Sequence, residues 1–142
     1  MQIADRIKSD VASAMKAGER ERVGALRLVL SELQKAEKEG DADELAVLRR
    51  ERKRRREAAA AYREAARDDL AETEDFEAQV IEQYLPAELS GAELDELVAR
   101  AVAESGASSP RDMGQVIKHV MAAAGGRADG RRVSTKAKEA LT

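Results

Sequence analysis

Apolar residues in this chain return at intervals of three and four for nearly its whole length, a period that specifies helices. Ile3, Ile7, Val11, Ala14 and Met15 mark the apolar face of a first helix, with Gly18 as its C′ residue. A second helix, from about Glu19 to Glu39, turns Val23, Leu26, Leu30 and Leu33 inward, and Gly40 closes it. Arg27 stands at the edge of that stripe, where a guanidinium needs a carboxylate or a route to water. Asp41 or Asp43 can cap a third helix, which meets no breaker until Asp68-Asp69. Its stripe starts with Leu45 and Leu48 and continues through Arg52, Arg55, Ala59, Tyr62 and Ala66. A fourth helix, from about Leu70 to Leu85, would face Val80, Ile81 and Leu85 inward and fold back antiparallel on the third.

Pro86 interrupts the pattern and disfavours a helical Leu85. Ser90 and Glu93 then have the spacing of a capping box. We place a domain boundary here, with a helical hairpin or bundle over 1–85 and a small three-helix domain over 86–142. The fifth helix carries Leu94, Leu97, Val98, Ala101 and Val102, and Gly106 stops it. Ser109-Pro110-Arg111-Asp112 reads as a helix start with serine at the N-cap and proline at N1. The sixth helix turns Met113, Val116, Ile117, Val120 and Met121 inward and ends at Gly125-Gly126. Gly126-Arg127-Ala128-Asp129-Gly130 forms a loop before a short last helix. The expected fold class is all-α.

Composition agrees. Aromatic residues are 2% of the 142, so the core is thin and suits extended helix pairs better than one globule. Cysteine is absent, which removes disulfides, thiolate catalysis and cysteine metal sites. No apolar run approaches the roughly 20 residues of a membrane span. No secretory signal is read at Met1–Ile7, so the expected location is cytoplasmic.

Charge is unevenly distributed. Arg49–Arg56 holds seven basic residues and one acidic, which alone resembles a nucleic-acid patch. Residues 57–83, however, carry Glu57, Glu64, Asp68, Asp69, Glu72, Glu74, Asp75, Glu77 and Glu82 against Arg63 and Arg67. An antiparallel fourth helix would bring those acids to the arginines, and Glu51–Arg55 and Lys53–Glu57 can pair locally. Internal pairing is the expectation, with RNA contact the alternative. Residues 111–142 have seven basic and three acidic side chains, a net +4, while the chain as a whole is at −3.

The positive field therefore centres on the glycine-bracketed loop and the last helices. A shaped loop presenting N–H groups and arginines suits phosphate; a plain helix-to-helix turn with solubilising arginines is the competing reading. With so few aromatic side chains to stack on bases, a folded RNA read through its phosphates is the better match. His119, the single histidine, sits at the edge of an apolar face and reads as structural or RNA-facing. No zinc ligand set, calcium loop, P-loop or serine-nucleophile motif occurs, and no metal or cofactor is expected.

Leu26-Arg27-Leu28, Glu82-Gln83-Tyr84-Leu85-Pro86, Asp112-Met113-Gly114-Gln115-Val116 and Gly126–Gly130 followed by Val133-Ser134 occur in an order and spacing that resembles the GatB/YqeY family. The resemblance covers nearly the whole chain, as in free-standing YqeY-like proteins. It implies an all-α fold whose three-helix tail is similar to the C-terminal domain of GatB, the tRNA-handling subunit of glutamine-dependent aspartyl/glutamyl-tRNA amidotransferase. In that enzyme the tail contacts tRNA, while kinase and amidase chemistry lie in other domains. Two departures stand out. Met121–Gly125 lacks the proline and lysines the family implies there, which leaves fewer phosphate contacts, and Arg52 stands where an apolar residue is usual, which would shift how the third and fourth helices pack.

The resulting expectation is a non-catalytic adaptor that binds tRNA or another structured RNA. Arg127, Arg131, Arg132, Lys136 and Lys138 would contact phosphate, flanked by Lys118 and His119. Gly126 and Gly130 would permit the turn, Asp129 would accept backbone N–H bonds or cap the last helix, and Gly114 would allow close helix contact. The alternative is a protein-interaction module whose N-terminal helices dock on a tRNA-related enzyme or a second copy. An exposed apolar strip on the third or fourth helix would favour it. An independent amidotransferase, a carbon–nitrogen ligase with glutamine as donor, finds no residues here for its chemistry.

Overall fold

A computed structural model describes residues 2–142 and contains, among them, seven α-helices and no strand. The all-α expectation holds. The helices are α1 (Gln2–Ala17), α2 (Arg20–Lys38), α3 (Glu44–Glu64), α4 (Asp68–Glu82), α5 (Gly91–Ser105), α6 (Met113–Ala124) and α7 (Gly130–Leu141), with a 3-10 turn at Pro110–Asp112. They form two compact units that divide between Leu85 and Pro86. Among the described residues no helix is long and apolar enough to cross a membrane.

The N-terminal unit is built on Ile7, Leu26, Val29, Leu33, Leu48, Val80 and Ile81, all almost fully buried. Alanines fill the close approaches, as a core without large rings requires. Two expectations need correcting. Met15 is 56% exposed and not part of the core, and Leu28 is 49% exposed. The large exposed apolar side chains thus lie on α1 and α2, not on α3 or α4. Ala66 is not on the α3 stripe either: the helix ends before it and Ala66 takes a left-handed φ of 59°.

Caps follow the chemistry of the sequence, with one long-range addition. Asp43 rather than Asp41 caps α3, accepting the N–H of Ala46 at 3.1 Å. Glu44 accepts the N–H groups of Ile3 and Ala4 at 3.1 and 2.8 Å, satisfying the start of α1 from 40 residues away.

The arginine run is largely spent on internal ion pairs. Arg55 bridges Glu51 on its own helix and Glu77 on α4, at 2.6 and 3.2 Å. Arg54 reaches Glu51, Arg50 reaches Asp41, and Lys53 lies 4.0 Å from Glu57. Arg56 pairs with Glu82 and Arg63 with Asp75, a descending register that shows α3 and α4 antiparallel. Half-buried Arg52 does not prevent that packing.

The end of α4 ties the unit together. Glu82 pairs with Arg56 of α3, Gln83 accepts a hydrogen bond from Arg22 of α2 at 2.9 Å, and the Tyr84 hydroxyl donates to Asp10 of α1. Arg6 lies 5.2 Å from the centroid of the Tyr84 ring. Burial and the Asp10 carboxylate hold the phenol well above its ordinary pKa. Tyr84→Phe is expected to cost about 1–2 kcal/mol in urea unfolding, because Asp10 loses its donor.

Candidate nucleic-acid interface

The C-terminal unit encloses Leu94, Val98, Val116, Val120, Val133 and Ala137. Ser90 and Glu93 form the expected capping box at α5, and Gly106 ends that helix at a φ of 70°. Asp112 accepts the N–H groups of Ser108 and Ser109 at 3.0 and 3.3 Å, but the segment it closes is the 3-10 turn; α6 begins only at Met113.

Gly125 and Gly126 both take left-handed φ, 58° and 83°, and turn the chain out of α6. Ala128 is buried and anchors the loop in the core. Asp129 caps α7, accepting the Arg132 N–H at 2.8 Å. Gly130 is not a turn residue: it is the first residue of α7 and lacks a positive φ. Gly114 does not serve close packing, because a Cβ there would meet nothing within 4 Å.

Arg127 and Arg132 hold the segment that leads into α5. The Arg127 Nε donates to the Ala87 carbonyl and an Arg132 guanidinium N–H to the Leu89 carbonyl, each at 2.8 Å. The Leu89 N–H in turn donates to the Arg127 carbonyl at 2.8 Å. Glu93 lies 4.0 Å from Arg127, and Glu88 lies 3.9 Å from Arg132. This clasp closes α7 onto the entry segment. Sequence reasoning missed it, since the acceptors are main-chain carbonyls 40 and 43 residues away.

Lys136 pairs with Asp95 of α5 at 2.8 Å, and this contact raises the lysine pKa. His119 lies 3.3 Å from Glu104. It shares a shallow cavity of about 530 Å³ with Ser105, Gln115, Lys118 and Ala122. Over residues 86–142, α5 and its flanks add Glu88, Glu93, Asp95, Glu96 and Glu104 against Arg100, so eight basic side chains face eight acidic. The positive balance of 111–142 is cancelled within the unit. Arg111, in the 3-10 turn, and Lys118, Arg131 and Lys138, on the last two helices, remain exposed with no carboxylate at ion-pair distance among the described residues. Arg131, Thr135 and Lys138 stand at i, i+4 and i+7 along α7, one exposed face.

Glu93 is held below the usual carboxylate range, chiefly by the Ser90 N–H it accepts, with Arg127 adding to it. A depressed carboxylate stabilises above its unfolded pKa and loses that contribution as pH falls through the folded value. The C-terminal helices are therefore expected to loosen on acidification through and below the ordinary glutamate range. Circular dichroism during an acid titration checks this, with Glu93→Gln flattening the response.

Fold and site together define an all-α protein of two helical units whose second unit is closed by an arginine clasp. The family model for YqeY-like proteins matches residues 4–141, and the chain belongs to that family. It is also 34% identical over 89 residues to a Schizosaccharomyces pombe protein described as uncharacterised; the match covers 59% of this chain and 72% of that relative.

Proposed function

We propose that the protein is a non-catalytic adaptor that contacts the phosphates of a folded RNA, of the tRNA class, through Lys118, Arg131 and Lys138. The observation that carries the reading is the α7 face on which Arg131 and Lys138 stand exposed and unpaired, while Arg127, Arg132 and Lys136 are engaged within the unit. Cations already committed to carbonyls and carboxylates gain less from phosphate, because binding must first break or share those contacts. Family membership and the tRNA contact implied by the resemblance to the GatB tail support the choice of ligand.

Three phosphate contacts release few counterions. The logarithm of tRNA affinity is expected to fall with the logarithm of salt concentration at a slope of roughly −2 to −3, at about 0.7–0.9 per contact. Fluorescence titration with tRNA at four salt concentrations measures the slope. A slope near zero contradicts phosphate binding; one near −5 would mean that the clasped arginines are released to the RNA.

A further inference from the structure

Gly24 lies in the interior of α2 and has no conformational reason to be glycine. Its φ is not positive, and a Cβ there would meet nothing within 4 Å. A glycine inside a helix is destabilising, so its absent side chain invites a reason outside the helix backbone. Gly24 lies in a groove of about 510 Å³ between the end of α1 and the start of α2, lined also by Ala14, Met15, Gly18, Glu19, Val23, Arg20 and Arg27; its one carboxylate, Glu19, lies 4.0 Å from Arg22.

Two features describe what the groove would accept. Its wall is apolar and adaptable: Met15, 56% exposed, lines it with Ala14 and Val23, and beyond the groove Leu28 continues the Gly24 face at i+4, 49% exposed. Its cations are uncommitted. Neither Arg20 nor Arg27 has a carboxylate at ion-pair distance among the described residues; the polar contact of the Arg27 guanidinium is the Met15 sulfur at 3.5 Å. Elsewhere in this unit Arg50, Arg54, Arg55, Arg56, Arg63 and Arg67 all pair with acids. Free guanidiniums beside an apolar trough are complementary to a segment carrying carboxylates next to leucine or methionine.

We infer that the Gly24 groove is a docking site for an acidic amphipathic helix of a partner protein. The partner's apolar side chain lies over Gly24 against Met15 and Val23, and its carboxylates meet Arg20 and Arg27. The site is on the unit opposite in sequence to the RNA-contacting helices and does not depend on that function.

The test is selection of a phage-displayed library of amphipathic helical peptides on the full-length protein, with the Gly24→Leu variant as counter-selection. Leucine fills the groove and favours helix, so its melting temperature is expected to be unchanged or higher. Gly24→Ala separates the helix-propensity gain from groove filling and is expected to keep binding. Peptides that prefer the wild type are expected to combine leucine or methionine with aspartate or glutamate. Arg27→Glu is expected to weaken them by at least about tenfold, as for a lost interfacial charge pair, while Lys118→Glu leaves them unaffected. Peptides that bind Gly24→Leu equally well, winners without acidic residues, or no winners at all would overturn the inference. Wild-type self-association abolished by Gly24→Leu would assign the groove to a second copy, and displacement of the peptide by tRNA would assign it to nucleic acid; either result also overturns it.

Discussion

Glu51→Ala is expected to lower the stability of the N-terminal unit by about 3 kcal/mol, the scale for breaking a buried ion pair on one side. Glu51 is 7% exposed and accepts from Arg54 at 3.1 Å and from Arg55 at 2.6 Å. The Arg55 side chain is itself only 12% exposed and extends on to Glu77, so it cannot turn to water when Glu51 is removed. Alanine leaves a nearly buried guanidinium with one carboxylate instead of two and a space between α3 and α4. Glu51→Gln keeps an acceptor oxygen without the charge, and about half that loss is expected. The unit supplies its own probe: the chain's two tyrosines, Tyr62 and Tyr84, both precede Pro86 and there is no tryptophan. Tyrosine fluorescence during urea unfolding thus follows the first unit alone. A loss below about 1 kcal/mol would give the pair the value of an exposed one.

The double variant Arg127→Ala, Arg132→Ala is expected to cost the C-terminal unit about 2–3 kcal/mol. Two guanidinium hydrogen bonds to carbonyls are lost, each worth about 1.5–3 kcal/mol when desolvated and less where the arginine is half exposed. The carbonyls of Ala87 and Leu89 lose these donors, and the segment that leads into α5 loses its tie to α7. The signature is specific. Far-UV circular dichroism should show part of the helix signal melting early, while tyrosine fluorescence keeps its wild-type midpoint. Equal midpoints by both probes would contradict a clasp confined to the second unit. It follows that charge reversal at Arg127 or Arg132 cannot by itself report RNA contact, because it disrupts the scaffold that presents α7.

Much of the fold could be read from spacing because its causes are local. The period of three and four set the helices, Ser90 and Glu93 set a cap within one turn, and Asp129 capped α7 from the adjacent residue. The pairing of the arginine run was also accessible, since acids follow in the next helix and antiparallel packing brings them back. What spacing could not supply is contact with main-chain atoms far away in sequence. Glu44 at the start of α1, and Arg127 and Arg132 at the carbonyls of Ala87 and Leu89, are of that kind. Glycine by itself does not mark a turn: Gly125 and Gly126 take left-handed φ, but Gly130 and Gly114 stand within ordinary helix. Met15 fits the helical period yet lies at the rim of the groove, where the period says nothing about what covers it.

The unpaired cations of the last two helices, not the clasped arginines, are expected to meet RNA. The most direct measurement is tRNA affinity at about 100 mM salt for Lys118→Glu, Arg131→Glu, Lys138→Glu, with circular dichroism confirming wild-type helix content. The helices are expected to be retained and affinity to fall by at least about tenfold, as three phosphate contacts become repulsions. Unchanged affinity in that folded variant would contradict it.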